Sequence, residues 1–136
     1  MTRSQVIENK ISFIKEQLGI LESYKSHTRE QIESDKYIKG SLERYLYLVI
    51  QGSIDLAEAF ISYRNFRKPS TQGEAFEILS ENNIVGAELT KSLVLMVGMR
   101  NIIAHAYQKI NYDMIFKALH ERLQDIEKYI EEIERE

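Results

Sequence analysis

The apolar residues of this chain recur at helical spacing and predict about five helices. Within each predicted segment they repeat every three or four positions, so that one face of the helix is apolar. The clearest seam lies in the first segment and consists of Ile7, Ile11, Ile14, Leu18 and Leu21. The predicted helices span residues 4–34, 39–63, 74–80, 86–103 and 112–133. No segment alternates apolar and polar residues as a strand would, so the pattern predicts an all-α fold, built as a single up-and-down bundle.

Helix-breaking residues mark the expected ends of these segments. The single proline, Pro69, lies in a polar stretch between the second and third predicted helices. Just after it, Thr71 and Glu74 have the spacing of a capping box, which predicts the start of the short third helix. Another break is expected near residues 34–35. No stretch has the composition of a linker, so residues 1–136 are expected to form a single domain.

Composition and spacing exclude several kinds of site. The chain has no cysteine, so it holds neither a disulfide nor a thiolate zinc site. The three histidines do not have the spacing of a paired-histidine metal motif, and there is no glycine-rich phosphate loop. We therefore expect no metal and no cofactor. No run of about 18 apolar residues and no signal-peptide core occur, so we expect a cytoplasmic protein without a membrane span.

The charge of the chain gives no support to a broadly basic nucleic-acid surface, because the net charge is −3. If the protein binds RNA, it must use a local basic patch or the help of a second subunit. The densest basic cluster comprises Arg64, Arg67 and Lys68, around Asn65 and Phe66. This cluster is interpreted either as a contact to the RNA backbone or as an ordinary charged loop.

Polar and ionisable residues are concentrated at the end of the fourth predicted helix. Arg100, Asn101, His105 and Tyr107 lie there among apolar neighbours, where ionisable groups are costly unless they are paired or used. At about 100° per residue, Arg100 and Tyr107 share a helix face, whereas His105 points about 140° away from Arg100. The side chains converge only if the helix ends or bends near residue 104, or if two copies meet across a two-fold axis.

The arginine–histidine spacing resembles the signature of the HEPN superfamily of helical ribonucleases, which is arginine, a polar residue, three further residues and histidine. The continuation His-Ala-Tyr resembles the HepT-like branch of that superfamily. The matching residues are Arg100, His105 and Tyr107, with Asn101 at the polar position. The resemblance covers about residues 41–130, whereas the segment before it matches only as a helix of the right kind.

This resemblance implies the toxin of a toxin–antitoxin pair, which is a metal-independent endoribonuclease that cleaves RNA by attack of the 2′-hydroxyl. It implies a two-fold homodimer that brings two motifs into one cleft, either alone or within a larger complex with the antitoxin. It also implies a cognate nucleotidyltransferase antitoxin that transfers AMP to the motif tyrosine, here Tyr107. The added phosphodiester charge and bulk would keep RNA out of the cleft.

Each motif residue has a chemistry that suits this reaction. Histidine titrates near neutral pH, so His105 is suited to be general base or acid. The fixed positive fork of Arg100 matches phosphate oxygens and is suited to stabilise the transition state. Asn101 would donate to phosphate or orient His105. Asp55 and Glu58, on the second predicted helix, would hold these groups in position without contacting the RNA themselves.

Two other interpretations remain open from the sequence. Arg100 and His105 would form a buried structural pair if Arg100 were bonded to Asp55 or Glu58, and Tyr107 would then be an interface aromatic. The chain would in that case be a non-catalytic helical partner that presents substrate to a minimal nucleotidyltransferase. The acidic net charge favours this partner interpretation slightly, whereas the presence of both Arg100 and His105 favours the enzyme. A purely structural coiled-coil oligomer is disfavoured by the interrupted seams.

Overall fold

The computed structural model describes residues 2–136, apart from the side chains of Arg3 and Tyr107. Within these residues the chain forms helices and no strand. The helices are α1 (Arg3–Glu22), α2 (Arg29–Ser34), α3 (Lys36–Arg64), α4 (Gln72–Glu81), α5 (Ala87–His105), α6 (Tyr112–Lys117) and α7 (Leu123–Glu134). A π-helical turn, Ala118–Arg122, joins α6 to α7 as one continuous segment. The predicted all-α bundle is therefore confirmed.

The first predicted helix is wrong in one respect, because it is two helices. α1 ends at Glu22, and after a 3-10 turn α2 begins behind Thr28. The Thr28 hydroxyl accepts from the Gln31 backbone N–H at 3.1 Å, and the Gln31 side chain accepts from the Thr28 N–H at 2.8 Å. This capping box satisfies two N–H groups that would otherwise lack partners, so it favours a new helix start over a continued α1.

The predicted break at residues 34–35 is confirmed, since the Asp35 side chain caps α3 by accepting from two backbone N–H groups. At the start of α4 only half of the predicted capping box forms. The Thr71 hydroxyl accepts from the Glu74 N–H at 3.1 Å. The Glu74 carboxylate instead accepts from the Ser70 N–H at 3.0 Å and from Arg67, because both donors lie within its reach.

The central helix of the bundle is α3, which packs against α1, α4 and α5. Gly52 permits the close approach of α1, since a Cβ at this position would lie 3.2 Å from both Ile14 and the ring of Phe13. On another side, the buried Tyr129 of α7 donates a hydrogen bond to the Ser53 carbonyl at 2.9 Å. Burial raises the pKa of Tyr129. The middle of α3 is therefore held firmly, and it carries the residues that face the site below.

No helix in the described part of the chain is both long and apolar enough to cross a membrane.

Candidate active site

The end of α5 carries the predicted reacting groups. Arg100 lies half-buried one and a half turns before the end, and His105 is the exposed last residue of the helix. The backbone leaves helical geometry only at Ala106, with φ −132° and ψ 50°. His105 therefore keeps the direction set by a straight helix, about 140° away from Arg100 and about 7.5 Å further along the axis. Within one chain the two side chains diverge.

Arg100 is held by three uncharged groups. Its Nε donates to Oε1 of Gln51 at 2.8 Å, and one terminal nitrogen donates to Oδ1 of Asn101 at 2.7 Å. The other terminal nitrogen donates to the Tyr47 hydroxyl at 3.3 Å. The guanidinium also lies over the Tyr47 ring, with its central carbon 5.1 Å from the ring centroid. Among the described residues no carboxylate pairs with Arg100, so its positive charge is not neutralised by an ion pair.

Asp55 reaches Arg100 only through Gln51. The Gln51 Nε2 donates to Oδ1 of Asp55 at 2.9 Å, while the Gln51 oxygen accepts from Arg100. An arginine only donates and a carboxylate only accepts, so these two neighbours determine which way the Gln51 amide faces. The direct bond from Arg100 to Asp55, which belonged to the alternative structural interpretation, does not form, because Gln51 bonds to both side chains. Glu58 lies about 10 Å further along α3 than Gln51 and lines a different groove.

Tyr47 and Gln51 are site residues that the sequence interpretation missed. Tyr47, Gln51 and Asp55 are spaced four residues apart, which places them on one face of α3. This polar stripe in the largely apolar middle of α3 was the available signal. Its connection to Arg100 was not visible, because Gln51 and Arg100 are 49 positions apart in the chain.

The remaining motif residues have different surroundings. Asn101 is exposed, and its amide oxygen is engaged by Arg100, so its amide nitrogen is the group that would be left for a phosphate. The backbone of Tyr107 forms part of the 3-10 turn that follows α5. The Tyr107 side chain lies outside the described residues, so the structure does not place the predicted acceptor of AMP.

No group of three or more histidine or acidic side chains suited to hold a metal occurs in the described residues.

The predicted basic cluster is remote from Arg100, since Arg64 lies about 20 Å beyond Gln51 along α3. Arg67 forms a two-point bond to Glu81, at 3.1 and 3.0 Å, and a third bond to Glu74 at 3.0 Å. Arg64 pairs with Glu136 at 3.3 Å. Lys68 is exposed. The cluster therefore does not join the motif, and two of its three cations are already paired with carboxylates.

The ion pairs of Arg67 shift the pKa values of Arg67, Glu74 and Glu81. The hydrogen bonds that Arg67 donates to Glu81 raise the pKa of Arg67, and they hold the pKa of Glu81 below its ordinary value. The pKa of Glu74 is also lowered, first by the backbone N–H of Ser70 and then by Arg67. Arg67 and Glu81 are exposed and Glu74 is partly exposed, so solvent screens the interactions.

The profile of the ribonuclease HepT-like family matches residues 14–133. The chain belongs to this family. Two HepT relatives agree with this: the mRNA nuclease HepT of Shewanella oneidensis is 28% identical over 133 residues, covering 98% of this chain and 99% of the relative. The tRNA nuclease HepT of Aphanizomenon flos-aquae is 29% identical over 133 residues, covering 94% of this chain and 87% of the relative.

A solved structure of a HEPN toxin has the same fold along the whole chain. It is the tri-AMPylated HEPN toxin of Shewanella oneidensis in complex with its MNT antitoxin. The TM-score is 0.90 at 28% identity, and the match covers 100% of both chains. The resemblance inferred from Arg100, His105 and Tyr107 is thus confirmed at the level of the family, and membership of the family makes this chain a ribonuclease.

Proposed function

We propose that this chain is a toxin that cleaves RNA without a metal ion, with Arg100 and His105 as its reacting groups. The observation that carries the proposal is the setting of Arg100. Three uncharged partners hold its guanidinium in place, and no carboxylate among the described residues neutralises it. A fixed, unneutralised guanidinium is what a phosphorane needs for charge stabilisation. Asn101 would support it by holding one terminal nitrogen.

Two copies of the chain would form the complete site. Because α5 stays helical through His105, one chain directs His105 away from Arg100. Two copies related by a two-fold axis would bring the Arg100 of one copy beside the His105 of the other, within one cleft. This arrangement would also place two histidines in the cleft, one for each proton transfer.

The reaction proceeds by attack of the RNA on itself. One His105 removes the proton of the 2′-hydroxyl, and the 2′-oxygen forms a bond to phosphorus. The bond from phosphorus to the 5′-oxygen breaks, and the His105 of the second copy supplies the proton that this oxygen takes up. The products are a 2′,3′-cyclic phosphate and a free 5′-hydroxyl, with Arg100 stabilising the charge of the intermediate phosphorane.

The activity is neutralised by a nucleotidyltransferase antitoxin that transfers AMP to Tyr107. The related Shewanella oneidensis toxin is tri-AMPylated in its complex with MNT antitoxin, which supports the same regulation here. Tyr107 is two residues past His105, so negative phosphodiesters there would repel the phosphates of RNA at the cleft. A toxin with this partner and this substrate would act in the cytoplasm.

The test compares purified wild type with His105→Ala and His120→Ala on total cellular RNA in EDTA. Before the assay, the intact mass of each protein is measured to check that Tyr107 carries no adduct. Wild type and His120→Ala should cut the RNA, because His120 is exposed on the π-helical turn and is not part of the motif. The cleavage rate of His105→Ala should be about 10²- to 10⁴-fold below that of wild type, which is the usual contribution of general acid–base catalysis.

The alternative function is a non-catalytic partner that binds a nucleotidyltransferase, and it is favoured by the net charge of −3 and by the ion-paired state of Arg64 and Arg67. Absence of cleavage by the unmodified, folded dimer on several RNA pools would support this alternative. Cleavage by wild type that survives His105→Ala would instead remove His105 from the mechanism. Arrest of growth on expression of wild type, but not of His105→Ala, would support the ribonuclease.

A further inference from the structure

An acidic ribonuclease needs a local basic patch, and the structure shows one beside Arg100. The Tyr47 ring has two guanidinium groups near it. The central carbon of Arg100 lies 5.1 Å from the ring centroid, and that of Arg44 lies 5.5 Å from the same centroid. We infer that Arg44 and Arg100 together bind consecutive phosphates of the RNA strand, with Tyr47 as the platform between them. This inference rests on the proposed function and names the contact that holds the strand outside the scissile bond.

The charges of this patch are available to a ligand. Among the described residues neither Arg44 nor Arg100 forms an ion pair, whereas Arg64 and Arg67 both do. The carboxylate connected most directly to Arg100 is Asp55, and the neutral Gln51 lies between them. Arg44 is exposed, so its guanidinium is open to a phosphate in solution.

The side chains of Arg44, Tyr47 and Arg100 also hold one another in position. Arg44 and Tyr47 are three residues apart on α3, so they are neighbours on its surface. Contact with the electron-rich ring face favours a cation without neutralising its charge. The Tyr47 hydroxyl accepts from Arg100 at 3.3 Å, which links the ring to the second cation. A planar guanidinium held in this way presents its remaining N–H groups to phosphate oxygens as a fork.

The roles of the two arginines differ. Arg100 belongs to the proposed reacting site, so it faces the scissile phosphate. Arg44 contacts the Tyr47 ring, whereas Gln51 and Asn101 hold Arg100, so Arg44 would meet the neighbouring phosphate of the strand. A substrate with only the scissile phosphate has nothing for Arg44 to bind. This difference separates a strand contact from a structural effect on Tyr47 or Arg100.

The test has a binding arm and a kinetic arm. In the first, a short RNA with methylated 2′-hydroxyls, which cannot attack, is titrated with the dimer between about 50 and 200 mM salt. Arg44→Gln should weaken binding several-fold at low salt and reduce the slope of log affinity against log salt by about 0.7, the value for one phosphate contact on a single strand. Arg44→Lys should restore most of that slope. Arg67→Gln, the matched control, should change neither quantity.

In the kinetic arm, Arg44→Gln should lower kcat/KM for a long RNA and leave cleavage of a dinucleoside monophosphate at the wild-type rate. Equal binding by Arg44→Gln and wild type would overturn the inference while leaving the proposed function intact. A parallel loss on the dinucleoside would also overturn it, since Arg44 would then act through Arg100. Wild type that binds RNA in this Arg44-dependent way but cleaves none would refute the ribonuclease function and keep the patch. Wild type that binds no RNA would refute both.

Discussion

Arg100 and Arg67 each have a guanidinium that is hydrogen-bonded through all three of its nitrogens, yet their partners differ in charge. The partners of Arg100 are an amide of Gln51, an amide of Asn101 and a phenol of Tyr47, and all are neutral. The partners of Arg67 are the carboxylates of two glutamates. Both arginines are oriented, but only Arg100 keeps a charge without a carboxylate partner in the described residues.

This difference separates an arginine prepared for a ligand from one that connects parts of the fold. Glu74 and Glu81 both lie on α4, so Arg67 ties the loop after α3 to that helix. An RNA phosphate at Arg67 would have to compete with two carboxylates already bonded to it. A phosphate at Arg100 would meet no such competitor, and neutral acceptors hold the fork in place without reducing its charge.

The largest expected effect comes from giving Arg100 a charged partner like those of Arg67. Gln51→Glu places a carboxylate against the Arg100 Nε and against the Asp55 carboxylate, so it neutralises the guanidinium and disturbs its support. We expect kcat for RNA cleavage to fall by about 10- to 100-fold, less than the ~10²- to 10³-fold typical for removal of a transition-state donor. The control Gln124→Glu makes the same change of net charge at an exposed site. If Gln51→Glu had the kcat of wild type, cleavage would not depend on an uncharged partner for Arg100.

A smaller effect is expected from the opposite change, which frees Arg67 from its carboxylates. The double variant Glu74→Gln, Glu81→Gln should bind uncleavable RNA a few-fold more tightly at low salt, with a steeper salt dependence and unchanged kcat, because Arg67 is remote from the motif. The control pair Glu77→Gln, Glu127→Gln changes the net charge equally at exposed positions. Equal tightening by both pairs would mean that total charge matters and the position of Arg67 does not.

The smallest effect is a difference between the two sites in their response to acid. The Ser70 N–H and then Arg67 lower the pKa of Glu74 in the folded chain, and Arg67 lowers the pKa of Glu81. These contacts therefore stabilise the fold above the unfolded-state pKa of the two carboxyl groups. That contribution is lost as the pH falls below the unfolded-state pKa and through the lowered folded-state pKa values. The thermal-unfolding midpoints of wild type and Arg67→Met should therefore converge in acid. Arg100→Met should show no such convergence, because none of its partners carries a charge to lose.

Much of the fold could be predicted from local pattern. The apolar spacing identified the helical segments and the break near residues 34–35. At that break the Asp35 side chain caps α3 from its own sequence neighbourhood. The capping box at Thr28 and Gln31 was just as local and was missed, which produced one long helix where the chain forms two. The half-formed box at Thr71 failed for a different reason. Glu74 found Ser70 and Arg67 as partners, and a spacing rule contains no information about competing donors.

The sequence by itself determined the residue types at the proposed site: an arginine, an asparagine and a histidine at the end of an apolar helix. Only the tertiary structure decided what surrounds them. Whether an arginine is neutralised depends on which side chains meet it, and those of Arg100 come partly from α3, 49 to 53 positions earlier in the chain. Helix periodicity relates residues only a few positions apart, so it cannot predict a contact between residues this far apart in the chain. It follows from the packing of α5 on α3, which places a neutral amide between Arg100 and Asp55.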